Sequence, residues 1–179
     1  MPTIIRGINP NFTTLEIQLK TVPVYAVAWV VAISFSYVGA KYDRRAYTII
    51  SVQFFAVIGF IMLLATPTSA HNTRYAAVFL CANGIFTSGV IWLSWAVNNA
   101  GLDQMRAVAS ALVISLGTLG SIVASWSYLP FDAPRYTIGN SLNLSVLIAG
   151  QFLAVALMLY NRRENALRVR GGRGELIAA

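Results

Sequence analysis

Charged side chains are scarce here, at 11% of 179 residues against roughly a quarter in an ordinary soluble domain, and that deficit excludes a water-soluble fold. A single cysteine, Cys81, excludes an intramolecular disulfide. It reads as a packed small hydrophobe. None of the six acids falls inside an expected span and the lone histidine, His71, falls in a loop, which excludes a membrane-embedded proton carrier within this chain. No cluster of His, Cys and acid stands at metal-ligand spacing and no nucleophile has an activating neighbour, so neither an enzyme activity nor a cofactor or metal is expected. No soluble domain and no short-period repeat is visible. Residues 1 to 20 carry Arg6, Asn9, Asn11 and Glu16 without a long apolar core; no cleavable signal peptide is expected, and the first span would direct insertion.

What the chain does have is apolar length, with 57% hydrophobic residues. The charges bracket five charge-free runs, 21–40, 46–73, 75–102, 107–131 and 136–161. A helix needs about 20 apolar residues to cross roughly 30 Å of hydrocarbon. Each run meets that, the first only just. The fold class follows: an all-α, polytopic membrane helix bundle with spans at about 21–40, 46–66, 75–99, 107–129 and 138–161. Residues 1–20 would form an extracellular lead-in, with Pro23 opening the first helix where its missing N–H is harmless, and residues 162–179 a basic, disordered cytoplasmic tail.

The net charge of +7 does not read as nucleic-acid binding, because the bases sit in short loops and a tail. It reads as orientation. With the C-terminus in the cytoplasm, Lys41, Arg44, Arg45, Arg106, Arg162, Arg163, Arg168, Arg170 and Arg173 lie inside, and Arg6, Lys20, Arg74 and Arg135 outside. That distribution obeys the positive-inside rule. The sequon Asn11-Phe12-Thr13 falls on the external side, whereas Asn143-Leu144-Ser145 lies inside a span and is unusable.

The third span carries the most polar decoration. Asn83, Thr87, Ser88, Trp92, Trp95, Asn98 and Asn99 lie in hydrocarbon or near its edge, where such groups need partners or water. Gly84, Ser88, Trp92, Trp95 and Asn99 recur at three- and four-residue steps and share a helix face. Trp92, Trp95, Asn99, Ser88 and Asn83 are thus candidates to line a substrate cavity, with Trp29 of the first span a further one near midplane; the plainer reading of each is helix packing or interfacial anchoring. In the fourth span, Ala107, Ala111, Ser115, Gly117, Ser121 and Ser125 form small-residue series, which read as a close helix–helix contact.

Gly39-Ala40-Lys41-Tyr42-Asp43-Arg44-Arg45 resembles the Gly-x-x-x-Asp-Arg-Arg signature between helices of the major facilitator superfamily. Gly39 permits close helix approach, Asp43 can cap the next helix or pair with an arginine, and Arg44 and Arg45 anchor at headgroups. An ordinary basic loop is the alternative. The wider order decides: Pro2-Thr3-Ile4-Ile5, Gln18-Leu19-Lys20-Thr21-Val22-Pro23-Val24-Tyr25, Asp43-Arg44-Arg45, Trp95-Ala96-Val97-Asn98-Asn99, Ala133-Pro134-Arg135-Tyr136 and Arg162-Arg163-Glu164-Asn165 together resemble the carboxyl half of fungal anion:cation symporters, the allantoate, nicotinate and pantothenate permease group. Two departures are Pro23-Val24-Tyr25 where that group has Pro-Pro-Tyr, and a shortened basic loop.

The resemblance implies the eighth to twelfth helices of a twelve-helix carrier in the plasma membrane, with the 75–102 span matching a cavity-bordering tenth helix. It also implies a small organic anion (carboxylate, vitamin or ureide) as substrate, alternating access, and the bilayer plus a missing amino-terminal helical bundle as partners. The competing expectation is a non-transporting membrane protein that packs against a full-length homologue and modulates it.

Overall fold

A computed structural model describes residues 13–42, 44–68, 70–101, 103–128, 132–133 and 135–170. Asp43 and the Asn11-Phe12 part of the external sequon lie outside the described residues. Among the described residues five helices follow one another: α1 Thr14–Lys41, α2 Arg45–Ala65, α3 His71–Asn99, α4 Asp103–Trp126 and α5 Thr137–Arg170. All five are long and apolar enough to cross a membrane, and no strand occurs among the described residues. The chain is an all-α membrane helix bundle.

Helix α1 starts at Thr14, not at Pro23, because Thr13 and Glu16 form a reciprocal cap. The Thr13 N–H donates to Glu16 Oε2 at 2.8 Å and the Glu16 N–H donates to Thr13 Oγ1 at 3.4 Å. Two N–H groups left open by helix geometry are thereby satisfied, a contribution of about 1 kcal/mol. Pro23 is carried inside the helix, where it removes one i to i−4 bond. Ile17, Thr21, Val24 and Ala28 form the buried stripe, repeating at three and four residues as a single helix face must. That stripe lies chiefly along α3. Tyr75 donates to the Lys20 carbonyl at 2.9 Å, and Tyr25 meets Phe86 edge-on at 5.3 Å between ring centroids.

The largest interface joins α2 to α3. Lipid tails are as apolar as leucine, so what holds helices together in a bilayer is close packing and not the release of water. Two glycines provide it. A Cβ on Gly59 would lie 2.8 Å from both the Cys81 N and Sγ, and one on Gly84 would lie 2.8 Å from the Ala56 N. Around them Ala46, Ile49, Ala56 and Leu63 of α2 face Ala77, Cys81, Ile91 and Trp95 of α3, all buried. Helix α2 ends at Ala65 with Thr66 extended, as the residue before Pro67 is disposed to be.

Helix α5 lies on α2, where Gln151 Nε2 donates to the Ile50 carbonyl at 3.2 Å. Its start is held by Asp132, whose Oδ1 accepts from Thr137 Oγ1 at 2.9 Å and whose Oδ2 accepts from the Ile138 N–H at 2.7 Å. The Tyr128 ring covers Gly139, where a Cβ would come within 2.9 Å. The helix continues to Arg170, past residue 162 where a tail is expected from the sequence. No Gly or Pro lies between Arg162 and Arg170, and Glu164 pairs with Arg168 one turn on at 3.1 Å. Its 34 residues amount to about 51 Å, well beyond the roughly 30 Å of hydrocarbon.

Helix α4 differs from the rest, with no buried residue along its length. Its small-residue series, Ala107, Ala111, Ser115, Gly117, Ser121 and Ser125, is exposed throughout. A Cβ on Gly117 or Gly120 would meet nothing within 4 Å. The close contact expected of that series is therefore not made among the described residues, whose other helices leave the face uncovered.

Candidate functional site

The turn from α1 to α2, the first turn of α4 and the far end of α5 carry bases and, with the end of α3, form one basic end of the bundle. Two features are built there. The first ties helices together. Gly39, buried in the last turn of α1, lets Thr48 of α2 approach so closely that a Cβ would stand 3.1 Å from Thr48 Oγ1. Arg45, the first residue of α2, turns inward instead of outward to headgroups. Its Nη1 donates to the carbonyl and to the Oγ of Ser94, each at 2.8 Å, and the Asn98 amide oxygen accepts from the same guanidinium. Helix α3 has no basic residue of its own in its last turn. Arg45 supplies that charge from the neighbouring helix, next to the negative end of the α3 dipole.

The second feature is a cavity of about 560 Å³ between the last turns of α3 and the α5 extension. Trp92, Trp95 and Asn99 of α3 face Leu157, Tyr160, Asn161 and Arg168 of α5, with Ala96, Asn98 and Gly101 completing the wall. The indoles of Trp92 and Trp95 pack at 5.3 Å between centroids, and Trp95 is only 3% exposed. An aromatic wall, three amides and one guanidinium suit a planar ligand with an anionic edge. The Arg168 guanidinium donates to Glu164 at 3.1 Å, in a pair with both side chains about one-third exposed (35% and 32%). A partly exposed pair of this kind contributes on the order of 1 kcal/mol. A ligand carboxylate would compete with Glu164 for Arg168.

The candidates named from the sequence separate into groups. Trp92, Trp95 and Asn99 line the cavity together. Ser88 does not, because it is buried where α2 crosses α3, and its hydroxyl donates to the Ile85 carbonyl at 3.0 Å. Gly84, on the same face, is sealed against Ala56 by that crossing. Asn83 is half-buried and donates to the Phe79 carbonyl at 2.7 Å, while its Oδ1 and the Thr87 Oγ1 are buried without a hydrogen-bond partner. Trp29 stands 68% exposed on α1. The sequence reading missed the α5 contribution, Tyr160, Asn161 and Arg168. Their signal was a tyrosine and an asparagine directly before the Arg162-Arg163 pair, on an uninterrupted helical stretch.

With this geometry in view, the comparisons are consistent. An uncharacterized transporter of Schizosaccharomyces pombe is 32% identical over 98% of this chain and 34% of its own length. An MFS-type transporter of Penicillium expansum is 27% identical over 96% of the chain and 33% of its own length. The relatives of this chain are fungal proteins named as transporters, several of them as MFS transporters. They include a high-affinity nicotinic acid transporter of Saccharomyces cerevisiae, 26% identical over 92% of the chain and 30% of its own length. The chain thus spans about a third of the length of the curated relatives it matches. No protein-family model matches it, and no solved structure gives a significant match.

Proposed function

We propose that this chain forms the carboxyl-terminal five helices of a secondary transporter for a small organic anion, of the fungal anion:cation symporter group. The observation that carries the reading is the cavity at the basic end, where Trp92, Trp95 and Asn99 of α3 meet Arg168 of α5, in a chain that matches fungal transporters along nearly its whole length. The aromatic wall stacks on a planar acid and Arg168 receives its carboxylate. The name of the nicotinic acid relative is compatible with that chemistry. The basic end faces the cytoplasm of the plasma membrane, and Arg45 holds α2 to α3 while an amino-terminal bundle moves against them. Cation coupling in this reading comes from groups outside this chain.

The uncovered face of α4 also supports the second reading, in which the chain packs against a full-length homologue as a modulator. One experiment separates the two. The chain is expressed with and without the helices that precede the matched region in its relatives, and uptake of labelled aromatic and aliphatic monocarboxylates is measured. Uptake only with those helices, lowered about tenfold or more by Trp92→Ala or Arg168→Gln and unchanged by Trp29→Ala, is the expected outcome. Uptake by the purified chain alone in liposomes, or none in either preparation, would overturn the proposal.

A further inference from the structure

The two arginines of the α1–α2 turn part company. Arg45 is spent inside the bundle, whereas Arg44 turns to the outer surface, where its guanidinium stands 5.9 Å from the centre of the Tyr47 ring. A second guanidinium reaches the same ring from the far end of the chain. Arg162 of α5 lies 5.3 Å from the Tyr47 centroid and donates to the Tyr47 hydroxyl. Each contact with the ring is favourable by itself, but together they converge two positive charges on one exposed tyrosine. Among the described residues neither arginine has a carboxylate partner. Lys41, Arg45 and Arg163 add to the local excess of positive charge, which the one acid of the turn, Asp43, cannot balance.

Beside this ring is a cleft of about 320 Å³ between the end of α1 and the first turns of α2. Phe35 and Val38 form its apolar floor, and Tyr42, Arg44, Thr48 and Ser51 its polar rim. The Thr48 and Ser51 hydroxyls donate to their own helix, at 3.0 Å to the Arg44 carbonyl and 2.9 Å to the Tyr47 carbonyl. The cleft opens on the outer surface of α2, where Tyr47, Ser51, Phe54 and Phe55 form one exposed strip running away from the charges. A positive rim at the end of a membrane helix, an apolar floor and an apolar track toward the bilayer centre match one kind of occupant.

We infer that the cleft lined by Arg44 and Tyr47, with Arg162 on the same tyrosine ring, is a binding site for an anionic phospholipid, its phosphate held by these guanidiniums and an acyl chain along Phe54 and Phe55. The charge complementarity selects an anionic over a zwitterionic headgroup. The apolar strip selects a lipid over a free phosphate. Bound lipid would bridge α2 and α5, which are otherwise joined at this end by the Arg162–Tyr47 contact.

The test uses the whole chain, purified in an uncharged detergent, with retained lipid counted by native mass spectrometry on titration with phosphatidylserine or phosphatidylcholine. Phosphatidylserine should be retained in preference. Arg44→Gln or Arg162→Gln should weaken its binding about fivefold each, and the double variant about thirtyfold, as loss of one and two guanidiniums at a membrane surface implies. The doubly conservative R44K/R162K should stay within about threefold of the parent, and equal loss there and in the glutamine variant would overturn charge recognition. Arg106→Gln, elsewhere at the basic end, should change binding less than about twofold. A loss there equal to that of Arg162→Gln would overturn the site in favour of diffuse surface charge. Displacement of the lipid by glycerol 3-phosphate, which lacks acyl chains, would overturn the lipid assignment and leave a soluble-phosphate site.

Discussion

Helices α3 and α4 follow one another, have similar apolar character and carry small residues at similar spacings, yet they end up in opposite circumstances. On α3, Ala77, Cys81 and Gly84 are pressed against α2 so closely that Gly84 has no room for a methyl group. On α4, Gly117 and Gly120 face open space, and Trp126 is 79% exposed. In a bilayer an exposed apolar surface carries no penalty of its own, so nothing compels α4 to seek cover within this chain. A small-residue series therefore marks the capacity for close approach, and a partner of matching shape decides whether the capacity is used. For α3 that partner is α2; for the α4 series none of the other described helices supplies one.

The contrast is open to mutation. The largest effect should come from Gly84→Leu, which forces a side chain into the Ala56 backbone and should cost about 3 kcal/mol, read as a lower midpoint when helicity is followed through an SDS titration in mixed micelles. An unchanged midpoint would mean that α2 and α3 are not packed as described. Next comes Arg45→Ala, which strips Ser94 and Asn98 of their shared donor. A loss of about 2 kcal/mol in the same titration, with an unaltered response to Gly117→Leu, would place the weakness between α2 and α3. The smallest effect belongs to Gly117→Leu, expected to move the midpoint by less than about 0.5 kcal/mol in this chain alone. Repeating it with the amino-terminal helices present sharpens the comparison, since a rise to about 2 kcal/mol would show that α4 packs against them, and continued silence would show that it faces lipid.

The number and order of the helices were legible because lipid imposes a minimum apolar length, and because Lys41, Arg45, Arg74 and Arg106 could only sit between spans or at their ends. The ends of the helices were less so. Thr13 and Glu16 mark an N-cap ten residues ahead of Pro23, in a polar stretch where charge-free run length carries no signal. The α5 extension rests on local helix-forming residues outside the membrane, where run length says nothing. The open side of α3 could not be read at all. Ser88 and Trp92 are one turn apart on the same face, and only the position at which α2 crosses separates a sealed serine from an accessible indole. Tyr47 escaped notice because its partner, Arg162, is 115 residues away, a distance at which sequence pattern is silent.

Cys81 is the one thiol in the chain. It is fully buried where Gly59 allows the backbones of α2 and α3 to meet. A maleimide cannot reach it while those helices remain together, and no other sulfhydryl competes for the reagent. The rate of its alkylation is consequently a clock for the separation of α2 from α3, built into the native sequence. The same reading, taken on Gly84→Leu and on the parent chain, would report how far that substitution loosens the pair without a single engineered label.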